Sequence, residues 1–285
     1  MRVVLITGNS FGHRYVANKL ASAVELAGIV VDEGARGGLA EWRRLWKRYT
    51  LRQMGSRLAL RCLAIICNDA ARRQLKAKEI LGAEDCLNFH FPNLITGVRG
   101  VNSKESMALL ESLQPDVLLV FGTAVVRAPV LSLARKIALN LHTGISPYYR
   151  GADCYFWPIY NNDLRMLGAT VHECTAQIDG GRIFATGHAS LEADDDIFSV
   201  FFRCVAQGAE LYVNVVQDLV AGRLAGGTPQ NLNVGREYRA FMRGIKADVK
   251  VRLQVKRGLI RRYVLANPQN FGTRHPRRKA QTTSY

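Results

Sequence analysis

Apolar residues first gather at Val3 to Thr7, a short run with the spacing of a buried strand. Gly8-Asn9-Ser10-Phe11-Gly12 then makes a tight turn. Val16, Leu20, Val24 and Leu26 recur at helical intervals over residues 13–26, and Ile29, Val30 and Val31 form a second apolar run. Strand, turn, helix and strand in that order open a doubly wound sheet.

Residues 38–67 read as one long helix or two, with Trp42, Leu45, Trp46, Tyr49, Leu51 and Met54 set among arginines, and 70–81 reads as another. The stretch 86–99, with Phe89-His90-Phe91-Pro92, reads as loop. Asn102-Ser103-Lys104-Glu105 resembles a capping box, with Asn102 as cap of a helix reaching about Leu113. Pro115 stops that helix, and 116–121 is a strand apolar on both faces. Further strands fall at 137–140, 166–174 and 182–185, with a short helix at 153–160. A long helix, 194–221, follows Asp194, Asp195 and Asp196, where negative charge suits a helix N-terminus. Gly226-Gly227-Thr228-Pro229 breaks the chain. The pattern predicts an α/β class with a doubly wound, mostly parallel sheet as a catalytic domain over 1–228. A basic C-terminal extension over 229–285 follows, helical at first through Tyr238, Phe241 and Ile245. Polar, basic composition predicts disorder over 271–285.

The 285 residues, 48% hydrophobic, suffice for a full core. The cysteines, Cys62, Cys67, Cys86, Cys154, Cys174 and Cys204, include no Cys-x-x-Cys pair, which argues against a zinc site. No secretory leader or membrane-length apolar run is read, so a cytoplasmic location is expected. The net charge of +16 is concentrated: residues 236–285 hold fourteen Lys or Arg against Glu237 and Asp248, hence +12. Arg43, Arg44, Lys47, Arg48, Arg52, Arg57 and Arg61 form a second basic cluster. Each is either a solvated face or an attraction to nucleotide phosphates, RNA or an anionic membrane, which would make the protein membrane-peripheral.

The chemistry-bearing residues are Asn140-Leu141-His142, then Gly144-Ile145-Ser146-Pro147-Tyr148-Tyr149-Arg150-Gly151, then Ile178-Asp179-Gly180-Gly181. An amide, an imidazole and a carboxylate each follow an apolar run. That placement suits the carboxyl ends of strands, where ligands of α/β sheets bind. Together they offer a polariser, a proton carrier and a group to orient it, the parts acyl transfer needs.

These three motifs, in this order, resemble the folate-dependent formyltransferase family, most nearly its sugar-nucleotide N-formyltransferases. The resemblance covers most of residues 1 to about 230. It implies a Rossmann-like formyltransferase fold, and transfer of a formyl group from 10-formyltetrahydrofolate, the co-substrate, to a primary amine without a metal. Asn140, His142 and Asp179 are the implied catalytic residues: an oxyanion donor, a proton carrier and its orienting carboxylate. The backbone of Gly122, Thr123, Ala124, Val125 and Val126, with Gly180 and Gly181, is the implied folate site. Gly8, Asn9 and Ser10, at the turn that holds substrate phosphate in glycinamide ribonucleotide formyltransferase, are expected substrate contacts, with Arg150, Gly151, Phe156 and Trp157.

Phe156-Trp157 and Ala169-Thr170-Val171-His172 resemble the members of the family that act on amino sugars carried on nucleotides, which implies an acceptor of that kind, used in polysaccharide or glycoconjugate synthesis. An amino acid such as hydroxyornithine, or methionyl-tRNA, is the alternative acceptor, although residues 230–285 are short and basic for a tRNA-binding barrel. A reading of another class is a non-catalytic binding protein tethered to RNA or membrane by its basic tail. A homodimer is among the arrangements left open.

Overall fold

The computed structural model of the chain describes residues 1–34, 50–175 and 177–268. The basic and aromatic residues at 42–49 and the stretch expected to be disordered, 271–285, lie outside them. In chain order the elements are β1 (Val3–Thr7), α1 (Phe11–Ala23), β2 (Leu26–Asp32), α2 (Leu51–Ile66), α3 (Asp69–Leu81), α4 (Ala83–Leu87), β3 (Ile95–Val98), α5 (Lys104–Leu113), β4 (Val117–Phe121) and α6 (Ala128–Leu131). Then come β5 (Ile137–His142), β6 (Tyr149–Gly151), α7 (Trp157–Tyr160), β7 (Gly168–Glu173), β8 (Ile183–His188), α8 (Ile197–Val220), β9 (Arg236–Tyr238), α9 (Ile245–Lys256) and α10 (Leu259–Ala266).

Seven strands form one sheet in the order β3-β2-β1-β4-β5-β7-β8. The first five run parallel, and β7 and β8 are antiparallel. β1 and β4 are buried at every position, which is why they read as continuous apolar runs. The chain winds outward from β1 to β3 and then from β4 to β5. The switch point therefore lies between β1 and β4, where α/β sheets open a crevice at their carboxyl edge.

α8 closes one face of the sheet. Its Phe202, Val205, Ala209, Tyr212 and Val216 share a core with Leu139 and Leu141 of β5 and Ala169 and Val171 of β7. The Tyr212 hydroxyl is fully buried; it accepts from Val120 N–H (2.9 Å) and donates to Leu139 O (2.7 Å), tying α8 to β4 and β5. Asp196 caps the helix by accepting from Phe198 N and Ser199 N. None of the described helices is long and apolar enough to cross a membrane.

Three local expectations change. The 86–99 stretch holds edge strand β3, organised by buried Asn18, which donates to Asp85 O and Asn88 O and accepts from His90 N. α5 is capped by Ser103, which accepts from Ser106 N, while Asn102 turns away to the loop after β4. Tyr238 lies in a strand rather than a helix: β9 pairs in parallel with β6, and its ring stacks on Trp157 and Tyr149. A second core joins Tyr149, Phe156 and Trp157 to Tyr238, Val251 and Ile260, so the segment from β9 through α10 is packed against the loop that follows β5.

Candidate active site

The two-residue period of a strand puts Asn140 and His142 on one face of β5, opposite the face that Leu139 and Leu141 present to α8. Antiparallel register places His172 of β7 against Asn140, and Thr170 against His142. Four polar residues thus share the sheet face that α8 leaves open, near the carboxyl end of β5. After β7 the chain turns back over this face and delivers Asp179 from a left-handed conformation (φ 48°), which aspartate adopts more readily than most side chains.

Asp179 is where these groups meet. Its Oδ2 lies 3.3 Å from His142 Nδ1 and accepts from Gly151 N at 2.7 Å. Its Oδ1 lies 3.2 Å from His172 Nε2 and 3.5 Å from Asn140 Nδ2. Burial pushes the carboxyl up, but the charge of His142, the hydrogen bond and charge of His172 and the Gly151 N–H outweigh it. The carboxyl is held well below the usual carboxylate range. The buried His142 also sets Nε2 2.9 Å from Tyr149 O. Asn140 Nδ2 lies 3.1 Å from His172 Nε2, and His172 Nδ1 lies 2.8 Å from Glu173 O.

The loop after β5 is fixed from several sides. Thr170 Oγ1 donates to Gly144 O (2.8 Å) and accepts from Ser146 N (3.1 Å). Gly151 has φ 91°, and a Cβ there would fall 2.1 Å from Tyr238 O, so the close approach of β6 to β9 requires glycine. Arg150 Nη2 donates to Leu232 O, while its buried Nε has no hydrogen-bond partner among the described residues. Gln230 Nε2 donates to Asp179 O and Gly181 O, holding the turn that carries the carboxylate.

Phe156 and Trp157, expected to touch substrate, are buried in the second core instead; Trp157 Nε1 donates to Ala152 O and its ring stacks on Tyr238. Their sequence position beside the loop is right, but packing turns their rings beneath it.

Strand register aligns the remaining candidates along one rim. Thr7 pairs with Phe121, and Phe121 with Leu141, so Gly8, Gly122 and His142 follow one another at the carboxyl edge. Asn102 pins residues 122–127, donating to Val125 O and accepting from Arg127 N. Val125 projects into solvent, 66% exposed, while Thr123 Oγ1 donates to Ala124 O. Ser10 N donates to His13 Nδ1, and Asn9 Oδ1 accepts from Arg14 Nε. His13 fills the space between the turns after β1 and β4: a Cβ on Gly122 (φ 65°) would lie 2.1 Å from its Nε2. Burial, with Arg73 and Arg14 nearby, lowers the His13 pKa to about 4.

Sequence reading missed His172, His13, Asn102 and Gln230 as parts of this region. Only His172 left a signal: it closes the Ala169-Thr170-Val171-His172 run singled out in the sequence, although its position opposite Asn140 comes from the register of the structure.

Residues 61–216, more than half of the chain, match the family model described as formyl transferase. The chain belongs to the formyl transferase family. Similar curated formyltransferases include methionyl-tRNA formyltransferase of Chlorobium limicola, 27% identical over 124 residues, or 44% of this chain and 39% of that protein. GDP-perosamine N-formyltransferase of Brucella melitensis is 29% identical over 122 residues, 42% of this chain and 47% of that one. The chain therefore spans less than half the length of either relative. An N-formyltransferase from Helicobacter canadensis, solved with folinic acid and dTDP-3-aminofucose, superposes with a TM-score of 0.51 at 15% identity, over 84% of this chain and 71% of that one. At that identity the likeness is one of fold.

Proposed function

We propose that the chain transfers a formyl group from 10-formyltetrahydrofolate to a primary amine, and that the amine belongs to an amino sugar carried on a nucleotide for polysaccharide or glycoconjugate synthesis. The observation that carries the reading is the convergence of Asn140, His142 and His172 on Asp179, beside the loop after β4. The folate supplies the formyl carbon. The residues of the chain bind, polarise and move protons around it.

In this reading Asn140 Nδ2 leaves His172 and donates to the formyl oxygen as negative charge builds there, a contribution for which loss of one donor costs about 10²–10³ in rate. The attacking amine gains a bond to carbon and must lose a proton; the bond from carbon to the folate nitrogen breaks, and that nitrogen must gain one. His142 is suited to carry this proton. Asp179 stays ionised, orients the ring through Nδ1 and stabilises its cation. His172 and Gly151 N in turn fix Asp179. Residues 122–126, with Gly180 and Gly181, seat the folate. Arg150, with its unpartnered buried Nε, and the turn 8–10 face the acceptor.

Support for the acceptor class comes from the Helicobacter canadensis protein, whose fold is shared and whose structure holds a folate together with a nucleotide-linked amino sugar. Methionyl-tRNA is the second reading, favoured by the sequence match to the Chlorobium limicola enzyme. The experiment is a formyl-transfer assay with 10-formyltetrahydrofolate against nucleotide-linked amino sugars, hydroxyornithine and methionyl-tRNA. Turnover with a sugar nucleotide alone bears the proposal out. Preference for methionyl-tRNA transfers it to the second reading, and no transfer to any acceptor favours a non-catalytic binding protein.

A further inference from the structure

α2 has no buried residue. Four of its large apolar side chains are turned outward: Leu51 is 72% exposed, Leu58 64%, Ile65 79% and Ile66 80%. Leu51, Leu58 and Ile65 follow one another at intervals of seven, two helical turns, so they stand on one face, with exposed Cys62 between them. The opposite side is occupied by the protein: Ser56 Oγ accepts from Ile245 N at the start of α9, and α2 packs on α3 and α9. The outward stripe is therefore a property of this helix face, not of a helix lacking any partner.

Charge frames the stripe. Every charged residue of α2 is an arginine, and exposed Arg52 and Arg61 fall on opposite edges of the apolar face. The adjoining α9 has a trough of its own, lined by exposed Val249 and Leu253 with Lys246, Lys250 and Arg257. An apolar stripe edged by arginines is the pattern of a helix lying in a membrane–water interface. At about 24 Å, the helix could not span a bilayer in any case. Two copies meeting on this face would set arginine against arginine, with no acid on the helix to offset them. An anionic lipid surface neutralises the same groups.

We propose that this face of α2 docks on an anionic lipid bilayer, with Leu51, Leu58, Ile65 and Ile66 in the headgroup–acyl boundary and Arg52 and Arg61 at the lipid phosphates. This assigns the membrane contact to a folded helix rather than to the basic segment at the end of the chain.

The test is co-sedimentation of the full chain with phosphatidylcholine vesicles, with and without phosphatidylglycerol. It is run beside Leu58→Gln/Ile65→Gln and Arg52→Gln/Arg61→Gln, with sedimentation velocity on each protein. These side chains are exposed, so both variants should keep the wild-type unfolding midpoint. Binding that requires phosphatidylglycerol and falls at least about tenfold in the first variant, about 1.4 kcal/mol, and falls also in the second, supports the proposal. Equal vesicle binding by wild type and Leu58→Gln/Ile65→Gln overturns it. So does a wild-type dimer that the first variant dissociates while vesicles bind neither protein, because the face would then join two copies of the chain.

Discussion

A buried carboxyl normally resists ionisation, yet Asp179 is held ionised because two imidazoles and a backbone N–H surround it. Its folded pKa lies below the unfolded value of about 3.9. The stability it contributes is therefore complete above about pH 4 and is lost only as the pH falls further, through the folded value. An acid limb of the rate profile above pH 5 should thus belong to another group. Asn140→Ala and His142→Ala should each lower turnover at least about a hundredfold, the usual scale for an oxyanion donor or a general acid–base group. Asp179→Asn, which keeps the shape and removes the charge, should fall by at least as much; steady-state kinetics on folded variants checks all three. His13 gives an independent prediction. Its folded pKa of about 4 lies below the usual 6.5, so the unfolded chain takes up the proton first on acidification. Stability should decline between pH 6.5 and 4, and His13→Asn should flatten that part of the decline in denaturant titrations.

Among the elements, the pairing of β6 with β9 and the ion pairs beside it hold the site loop. Arg243 donates to Asp153 and Tyr155 of that loop and to buried Asp248 of α9, and its guanidinium lies 4.2 Å from the Phe156 ring centroid. Arg243→Met should destabilise the protein by about 3 kcal/mol, because it strips Asp153 of this partner and leaves Asp248 with Arg252 alone. Chemical denaturation measures this directly. β5, which carries Asn140 and His142, was readable because it is buried on the α8 side and interrupted by polar residues on the other. β3 was not, since only Val98 of its four residues is buried and its setting depends on Asn18, some seventy residues earlier. β9 was hidden for a similar reason. Arg236-Glu237-Tyr238 has no strand pattern of its own and pairs only because Gly151 lets the partner backbone approach. The Asn-x-His and Asp-Gly motifs were visible in sequence. That His172 shares their carboxylate follows from β5–β7 register, which no local pattern states.

For the molecule as a whole, the charge of +12 over 236–285 overstates what faces solvent. Arg243 and Arg252 are spent on Asp153, Asp248 and Asp69 within the fold. The rest divides among Arg236 and Arg239 at β9, the α9–α10 surface and the stretch beyond Asn267. Truncation after Asn267 should leave turnover with saturating substrates nearly unchanged while reducing salt-sensitive association with RNA. Truncation after Gln230 should abolish folding, since it removes β9 together with Tyr238, Val251 and Ile260 from the second core. Circular dichroism separates the two outcomes. The central claim, that the open face of β5 and β7 performs formyl transfer, is tested most directly by the rate at which wild type and His142→Ala move the formyl group of 10-formyltetrahydrofolate to a nucleotide-linked amino sugar, with product followed by mass spectrometry. The account predicts formylated product from the wild type and a rate at least about a hundredfold lower in the variant. Equal rates in the two proteins would contradict it.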